Sequence, residues 1–128
     1  MAQLVEVYQP MPDNLIRVHV GDGIKRFEVL ASYKEESHFS VRLTNSEADW
    51  VAAELKSPNG VQNWIRLENE QVLRVVRSGE IRQLILSDII NGREVQAERI
   101  GVILEDVLDK VVEALRRKED LGERTAIG

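Results

Sequence analysis

The chain has 128 residues, of which 43% are hydrophobic and 30% charged, with a formal net charge of -5. This length and composition predict one compact domain, placed at residues 1–120, and a flexible tail at 121–128. The lack of cysteine excludes disulfides and cysteine-ligated metals, which favours a cytoplasmic location. No apolar run approaches the roughly 18 residues of a spanning helix, so no membrane partner is expected.

The first part of the chain alternates between apolar and polar residues, as half-buried strands do. In LIRVHV, for example, Ile16, Val18 and Val20 share one face. A Gly-Asp-Gly turn at 21–23 follows this run and predicts a hairpin. The alternation predicts four strands, at 4–8, 15–20, 24–31 and 38–43.

The stretch TNSEADWVAAELKSPNG, Thr44 to Gly60, predicts a single helix of about three turns in the middle of the chain. Thr44 and Glu47 have the spacing of a capping box, which satisfies free backbone amides at a helix start. The apolar face of this helix comprises Ala48, Val51, Ala52 and Leu55. Trp50 lies opposite that face, so it is either an exposed binding anchor or a residue covered by a neighbouring element.

After the helix, the pattern predicts strands at 61–68, 71–77 and 80–87, and leaves open a short strand around Ile89 and Ile90. Asn91 together with Glu94, three residues later, would cap the start of a last and longer helix. Its apolar stripe comprises Ala97, Ile100, Leu104, Val107, Val111 and Ala114. Because this helix is apolar over about half its circumference, it predicts a second neighbour, which is either the other half of the same chain or the same helix of a second copy; a homodimer is the commoner solution.

The expected fold class is therefore α+β, with mostly antiparallel sheet and the order strands, helix, strands, helix. The middle helix would be short and the C-terminal helix long and amphipathic. The order of elements divides the domain into two similar halves, 1–57 and 58–120.

Motifs for catalysis and for metal binding are absent from the sequence. The two histidines, His19 and His38, have none of the spacings that place two metal ligands on one face of an element. There is no GxSxG nucleophile elbow, and Gly21-Asp22-Gly23 lacks the Lys-Ser/Thr of a phosphate-binding loop. We therefore expect a non-enzymatic binding module with no cofactor and no metal.

Three carboxylates, Glu105, Asp109 and Glu113, recur every four residues on the polar side of the predicted last helix. Like charges at this spacing repel each other, so the stripe is either a solvated face or a docking surface for a basic protein. Together with Trp50, these residues are the candidate protein-binding site. The first function predicted is a regulatory or inhibitory protein-interaction domain.

The basic residues lie mostly in predicted strands, while the helices carry the acidic excess. A basic sheet face with aromatic side chains can hold single-stranded nucleic acid, because cations follow phosphates and rings stack on bases. The candidate residues for this second function are Arg42, Trp64, Arg66 and Arg74, of which Trp64 and Arg66 share a face. Interspersed glutamates leave open the alternative of cross-strand ion pairs.

Four strands followed by a helix, given twice, is similar to the order of elements in Whirly-type single-strand binding proteins. This resemblance spans nearly the whole chain, concerns topology only and assigns no residues. A barrel closed by a C-terminal helix, as in pleckstrin-homology-like domains, would fit much of the same pattern.

Overall fold

The computed structural model describes residues 3–10, 15–30, 37–58 and 62–118, so the predicted tail at 121–128 lies outside it. The strands are β1 (Gln3–Tyr8), β2 (Leu15–Val20), β3 (Ile24–Leu30), β4 (Ser37–Thr44), β5 (Gln62–Arg66), β6 (Gln71–Ser78), β7 (Ile81–Ile90) and β8 (Arg93–Leu104). The helices are α1 (Asn45–Leu55), between β4 and β5, and α2 (Leu108–Arg116), which follows a 3₁₀ turn at Glu105–Val107.

The strands form two separate antiparallel sheets of four strands each. Sheet A has the order β1-β2-β3-β4 and sheet B the order β5-β6-β7-β8, so every strand pairs with its neighbour in the chain. Antiparallel neighbours can be joined without a crossover, which is consistent with this simple order. The two sheets share no strand pairing, so the described chain is not a barrel closed by a helix.

The predicted fold class is wrong, because the long C-terminal helix is absent. Asn91 and Gly92, expected to begin that helix, instead join β7 to β8 with φ angles of 53° and 77°. Positive φ at both residues is what a two-residue type I′ hairpin turn requires, and Asn-Gly is its preferred sequence. The final helix α2 has only nine residues. The protein is therefore a helix-poor, mostly antiparallel two-sheet structure and not an α+β domain with a long C-terminal helix.

Side chains from both sheets and both helices form one hydrophobic core. The helices contact each other, both contact sheet A, and α1 also contacts β6 of sheet B. Within sheet A, the rings of Phe27 and Phe39 meet edge to face, with centroids 6.0 Å apart. The helices therefore lie on the inner faces of the sheets, and the faces turned away from the core are called the outer faces below.

Strand β8 runs closely over sheet A at Gly101. A Cβ atom at this position would lie 3.0 Å from side-chain carbons of both Phe39 and Val29, which is closer than packed carbon atoms approach. The side chain of Gln9 holds the free edge of β8 nearby, since its Nε2 donates to the carbonyl of Val102 at 3.0 Å and its Oε1 accepts from the backbone amide of Leu104 at 2.7 Å. These contacts fix where sheet B crosses sheet A.

Helix α1 is fastened at both ends by residues that are distant in sequence. The buried Glu47 completes the predicted capping box, because its Oε1 accepts from the Thr44 amide at 2.9 Å. Its Oε2 accepts from the amide of Glu68, in the β5–β6 turn, at 2.8 Å. At the other end, the Nε of Arg82 donates to the Leu55 carbonyl at 3.0 Å. Burial lowers the pKa of Arg82, which is only 1% exposed.

The substitution Gly101→Val should lower the free energy of unfolding by roughly 1–3 kcal/mol, because the added carbons have no room between Phe39 and Val29. Urea denaturation followed by circular dichroism measures this change. The matched control is Arg93→Val, at an exposed position on the same strand, which should alter stability little. Equal stability of Gly101→Val and the wild type would contradict the close approach of β8 to sheet A.

Glutamine at position 47 separates the two roles of Glu47. It still suits a capping box, but its amide group cannot accept from both Thr44 and Glu68. We expect Glu47→Gln to cost roughly 1–3 kcal/mol of unfolding free energy and Glu47→Ala to cost more, since alanine removes both acceptors. Both variants are compared with the wild type by thermal and urea denaturation. If Glu47→Gln were as stable as the wild type, the bond to Glu68 would not tie the helix to sheet B.

Candidate nucleic-acid interface

A row of side chains crosses the outer face of sheet B from edge to edge. Trp64 on β5 pairs with Arg74 on β6, Arg74 with Ile85 on β7, and Ile85 with Ile100 on β8. We call these four residues the Trp64 row. Trp64 is 63% exposed and Ile100 42% exposed, so the row presents an aromatic and aliphatic surface to solvent.

Two of the predicted nucleic-acid-binding arginines lie on this face, and both have carboxylate partners. Arg66 is two residues after Trp64 on β5, and its Nη2 lies 2.7 Å from Glu70. Arg74 donates to the Glu94 carboxylate through both terminal guanidinium nitrogens, Nη1 and Nη2, and the Nη2 bond is 2.7 Å long. The hydrogen bond from Arg74 holds the pKa of Glu94 below its usual range. Arg74–Glu94 is therefore an ion pair between strands, as the alternative interpretation expects, whereas Arg66 pairs with Glu70 in the β5–β6 turn.

The fourth predicted residue, Arg42, lies on the outer face of sheet A. Its Cα partner across the β3–β4 pair is Arg26, and both side chains are exposed. Within the described part of the chain, neither guanidinium has a hydrogen-bond or ion-pair partner. Sequence reasoning grouped Arg26 with the other strand cations but did not select it, because the register that sets it opposite Arg42 is not visible in the sequence.

A groove of about 230 Å³ lies between β4 and the turn that joins β5 to β6. Arg42 and Thr44 line one side of it, and Glu68 and Asn69 line the other. Arg42 therefore lies where sheet A adjoins the hairpin that carries Trp64 and Arg66. Of the four candidate residues, Arg42 lines this groove, whereas Trp64, Arg66 and Arg74 are not among its lining residues.

The three carboxylates predicted to form an acidic docking surface lie in the 3₁₀ turn and α2, and each has a cation from the same chain beside it. The pairs are Glu105 with Arg82 at 3.7 Å and with Arg77 at 4.0 Å, Asp109 with Lys56, and Glu113 with Arg117 at 3.2 Å. The stripe is thus a series of ion pairs and not a face of uncompensated negative charge. Their role in protein binding stays a prediction.

Trp50, the predicted anchor on α1, is half-buried and packs against the hydrophobic core. The apolar residues of α2 are also covered, because Leu108, Val111, Val112, Ala114 and Leu115 are buried in a helix that contacts α1 and sheet A. The C-terminal part of the predicted apolar stripe, at Val107, Val111 and Ala114, is therefore covered within this chain, whereas Ile100 lies on β8 and is 42% exposed. The homodimer stays a prediction without that support.

The described residues contain no group of three or more histidine, aspartate or glutamate side chains placed to hold a metal ion. The Nε2 of His19 lies 2.7 Å from a carboxylate oxygen of Glu28 on the neighbouring strand, and the side chain of His38 lies outside the description. Among the described helices, none has the length and apolar character needed to cross a membrane.

Comparison with known proteins finds a likeness of fold alone. No family model and no curated protein matches the sequence. A crystal structure of MRP1/MRP2 from Trypanosoma brucei is similar over 98% of this chain and 87% of that chain, with a TM-score of 0.58. The sequences are 12% identical, so the likeness concerns the arrangement of strands and helices.

Proposed function

We propose that the protein binds single-stranded nucleic acid on the outer face of sheet B, with Trp64 as the stacking platform. The observation that carries this proposal is the Trp64 row, in which an indole ring 63% exposed shares the outer sheet face with Arg74, Ile85 and Ile100. Base stacking on an aromatic ring contributes about 1–3 kcal/mol per base and tolerates any sequence. Such stacking requires unpaired bases, which favours a single strand over a duplex.

The charged residues of the two sheets have different roles in this proposal. Arg66, with 56% of its side chain exposed, lies beside Trp64 where the strand backbone would pass. Arg42, across the groove, offers a guanidinium that no described residue neutralises. Arg74 is held by Glu94 and keeps the middle of the row in place. The similarity of element order to Whirly-type single-strand binding proteins supports the same function.

Removing the indole should weaken binding to a fluorescently labelled oligothymidylate. We expect Trp64→Ala to raise the Kd about tenfold or more in fluorescence anisotropy, since it removes at least one stacked base. Trp64→Phe, which keeps a ring, should recover part of the affinity. Ile90→Ala removes an apolar side chain that is 55% exposed but lies outside the Trp64 row, and should leave the Kd unchanged. A Trp64→Ala protein that binds as tightly as the wild type would contradict the proposal.

A second proposal is that α2 docks a basic protein. It is favoured by the exposure of Asp109 and Glu113, whose side chains are 87% and 73% exposed although both are ion-paired. Exposed ion pairs contribute only about 0–1 kcal/mol, so a basic partner can replace Lys56 and Arg117 at small cost.

The double variant Asp109→Lys/Glu113→Lys tests this second proposal. Charge reversal should abolish capture of a basic protein that the wild type retains from nuclease-treated cell extract, because attraction becomes repulsion. Glu80→Lys, which reverses an exposed charge on the β6–β7 turn, is the control and should leave capture intact. Capture that persists in the double variant would rule out docking on α2.

A further inference from the structure

The outer face of sheet A contains a small basic concavity of about 230 Å³, which we call the Arg26–Arg42 site. Its lining residues are His19, Gly21, Ile24, Arg26 and Arg42. The two arginines come from adjacent strands and are direct cross-strand partners. The imidazole of His19 is held by Glu28 at 2.7 Å, so it forms a wall of the concavity whose position is fixed.

The charge of this site is unusual for the face on which it lies. Arg17, on the same face, has its Nε 2.9 Å from a carboxylate oxygen of Glu6. Arg26 and Arg42, by contrast, have no carboxylate partner within the described part of the chain, and they face each other directly. Two like charges opposite each other in a sheet are destabilising, so the fold carries this arrangement at a cost.

The geometry of the strand pair suits a tetrahedral oxyanion. Side chains directly opposite each other in an antiparallel pair have their Cβ atoms roughly 4.5–5.5 Å apart, so the two guanidinium groups can reach the same phosphate. Each guanidinium is a planar fork that binds phosphate oxygens with two parallel hydrogen bonds. Gly21 adds no side chain to the rim, which leaves the opening clear. The site therefore has the donors and the access that a phosphate group needs.

We infer that the Arg26–Arg42 site recognises a terminal phosphomonoester, the phosphorylated end of a nucleic-acid strand. A phosphomonoester carries close to two negative charges at neutral pH, about −1.5 to −2, and so matches two uncompensated arginines. An internal phosphodiester carries only one charge and would leave half of the site unneutralised. This inference rests on the proposed function and deepens it: sheet B stacks the bases of a strand whose end is held by sheet A.

Three versions of one labelled oligothymidylate test the inference, with a 5′-hydroxyl, a 5′-phosphate or a 3′-phosphate. One of the phosphorylated strands should bind the wild type roughly tenfold more tightly than the hydroxyl strand, since hydrogen bonds to charged groups are strong. The double variant Arg26→Gln/Arg42→Gln should lose this preference. Arg17→Gln, which removes a paired arginine from the same face, should keep it. Trp64→Ala should weaken all three strands by a similar factor.

The fold of the double variant is checked by thermal denaturation, and we expect no loss of stability because the repulsion between the arginines is relieved. The single variant Arg42→Gln gives the same readout if the double variant does not fold.

The outcomes separate this inference from the proposed function. Equal affinity for all three strands, with the effect of Trp64→Ala retained, overturns phosphomonoester recognition and leaves the proposed function standing. Calorimetry with inorganic phosphate and thymidine monophosphate tests whether the phosphate site exists even if no strand binds. If these bind in a manner that depends on Arg26 and Arg42 while no strand binds, the phosphate site is supported and strand binding is overturned. If neither small phosphates nor phosphorylated strands need the two arginines, the site is overturned.

Discussion

The attachment of helix α1 at both of its ends is the constraint on which the arrangement of the two sheets depends. Glu47 and Arg82 are buried charged residues, at 7% and 1% exposure, and each would destabilise the core without its hydrogen bonds. Glu47 joins the start of α1 to the β5–β6 turn, and Arg82 joins the end of α1 to strand β7. Both bonds reach from the second sheet to a helix that follows the first. Breaking either of them would leave a buried charge partly unsatisfied, so the sheets cannot move independently of the helix.

This attachment places the helices inside, while Arg26 and Arg42 on sheet A and Trp64 on sheet B are exposed on the outer faces. A separation of charge between basic sheets and acidic helices was expected, but pairing within the chain largely cancels it. Helix carboxylates meet Lys56 and Arg117, and strand arginines meet glutamates. The charged side chains that have no ion-pair partner among the described residues therefore indicate a binding site better than the net charge does. On sheet A these side chains form the Arg26–Arg42 site, and on sheet B the exposed feature is the Trp64 row.

Local patterns predicted the first half of the fold well, because each signal there depends on neighbouring residues. The capping box at Thr44 and Glu47 is present, and β2 occupies the predicted residues 15–20. The second half failed at Asn91, where a possible helix cap is also the preferred sequence of a hairpin turn. Ile100 and Leu104 fit a helical stripe, but with Val102 they also fit the alternation of a strand. Pairing with β7, a contact between separate segments, decides for the strand.

For the candidate site, the sequence predicts only which residues of one strand lie on the same face of the sheet. Trp64 and Arg66 share a face because they are two residues apart, and the structure keeps them together on β5. The partner of Arg42 depends instead on the register between β3 and β4, which shifts between Val29 and Leu30 and is set over a connection with no sequence signature. The opposition of Arg26 and Arg42 is thus a property of tertiary pairing. Cross-strand neighbours of like charge weaken a sheet, and their juxtaposition, with no carboxylate partner among the described residues, is the feature from which we infer an external anion.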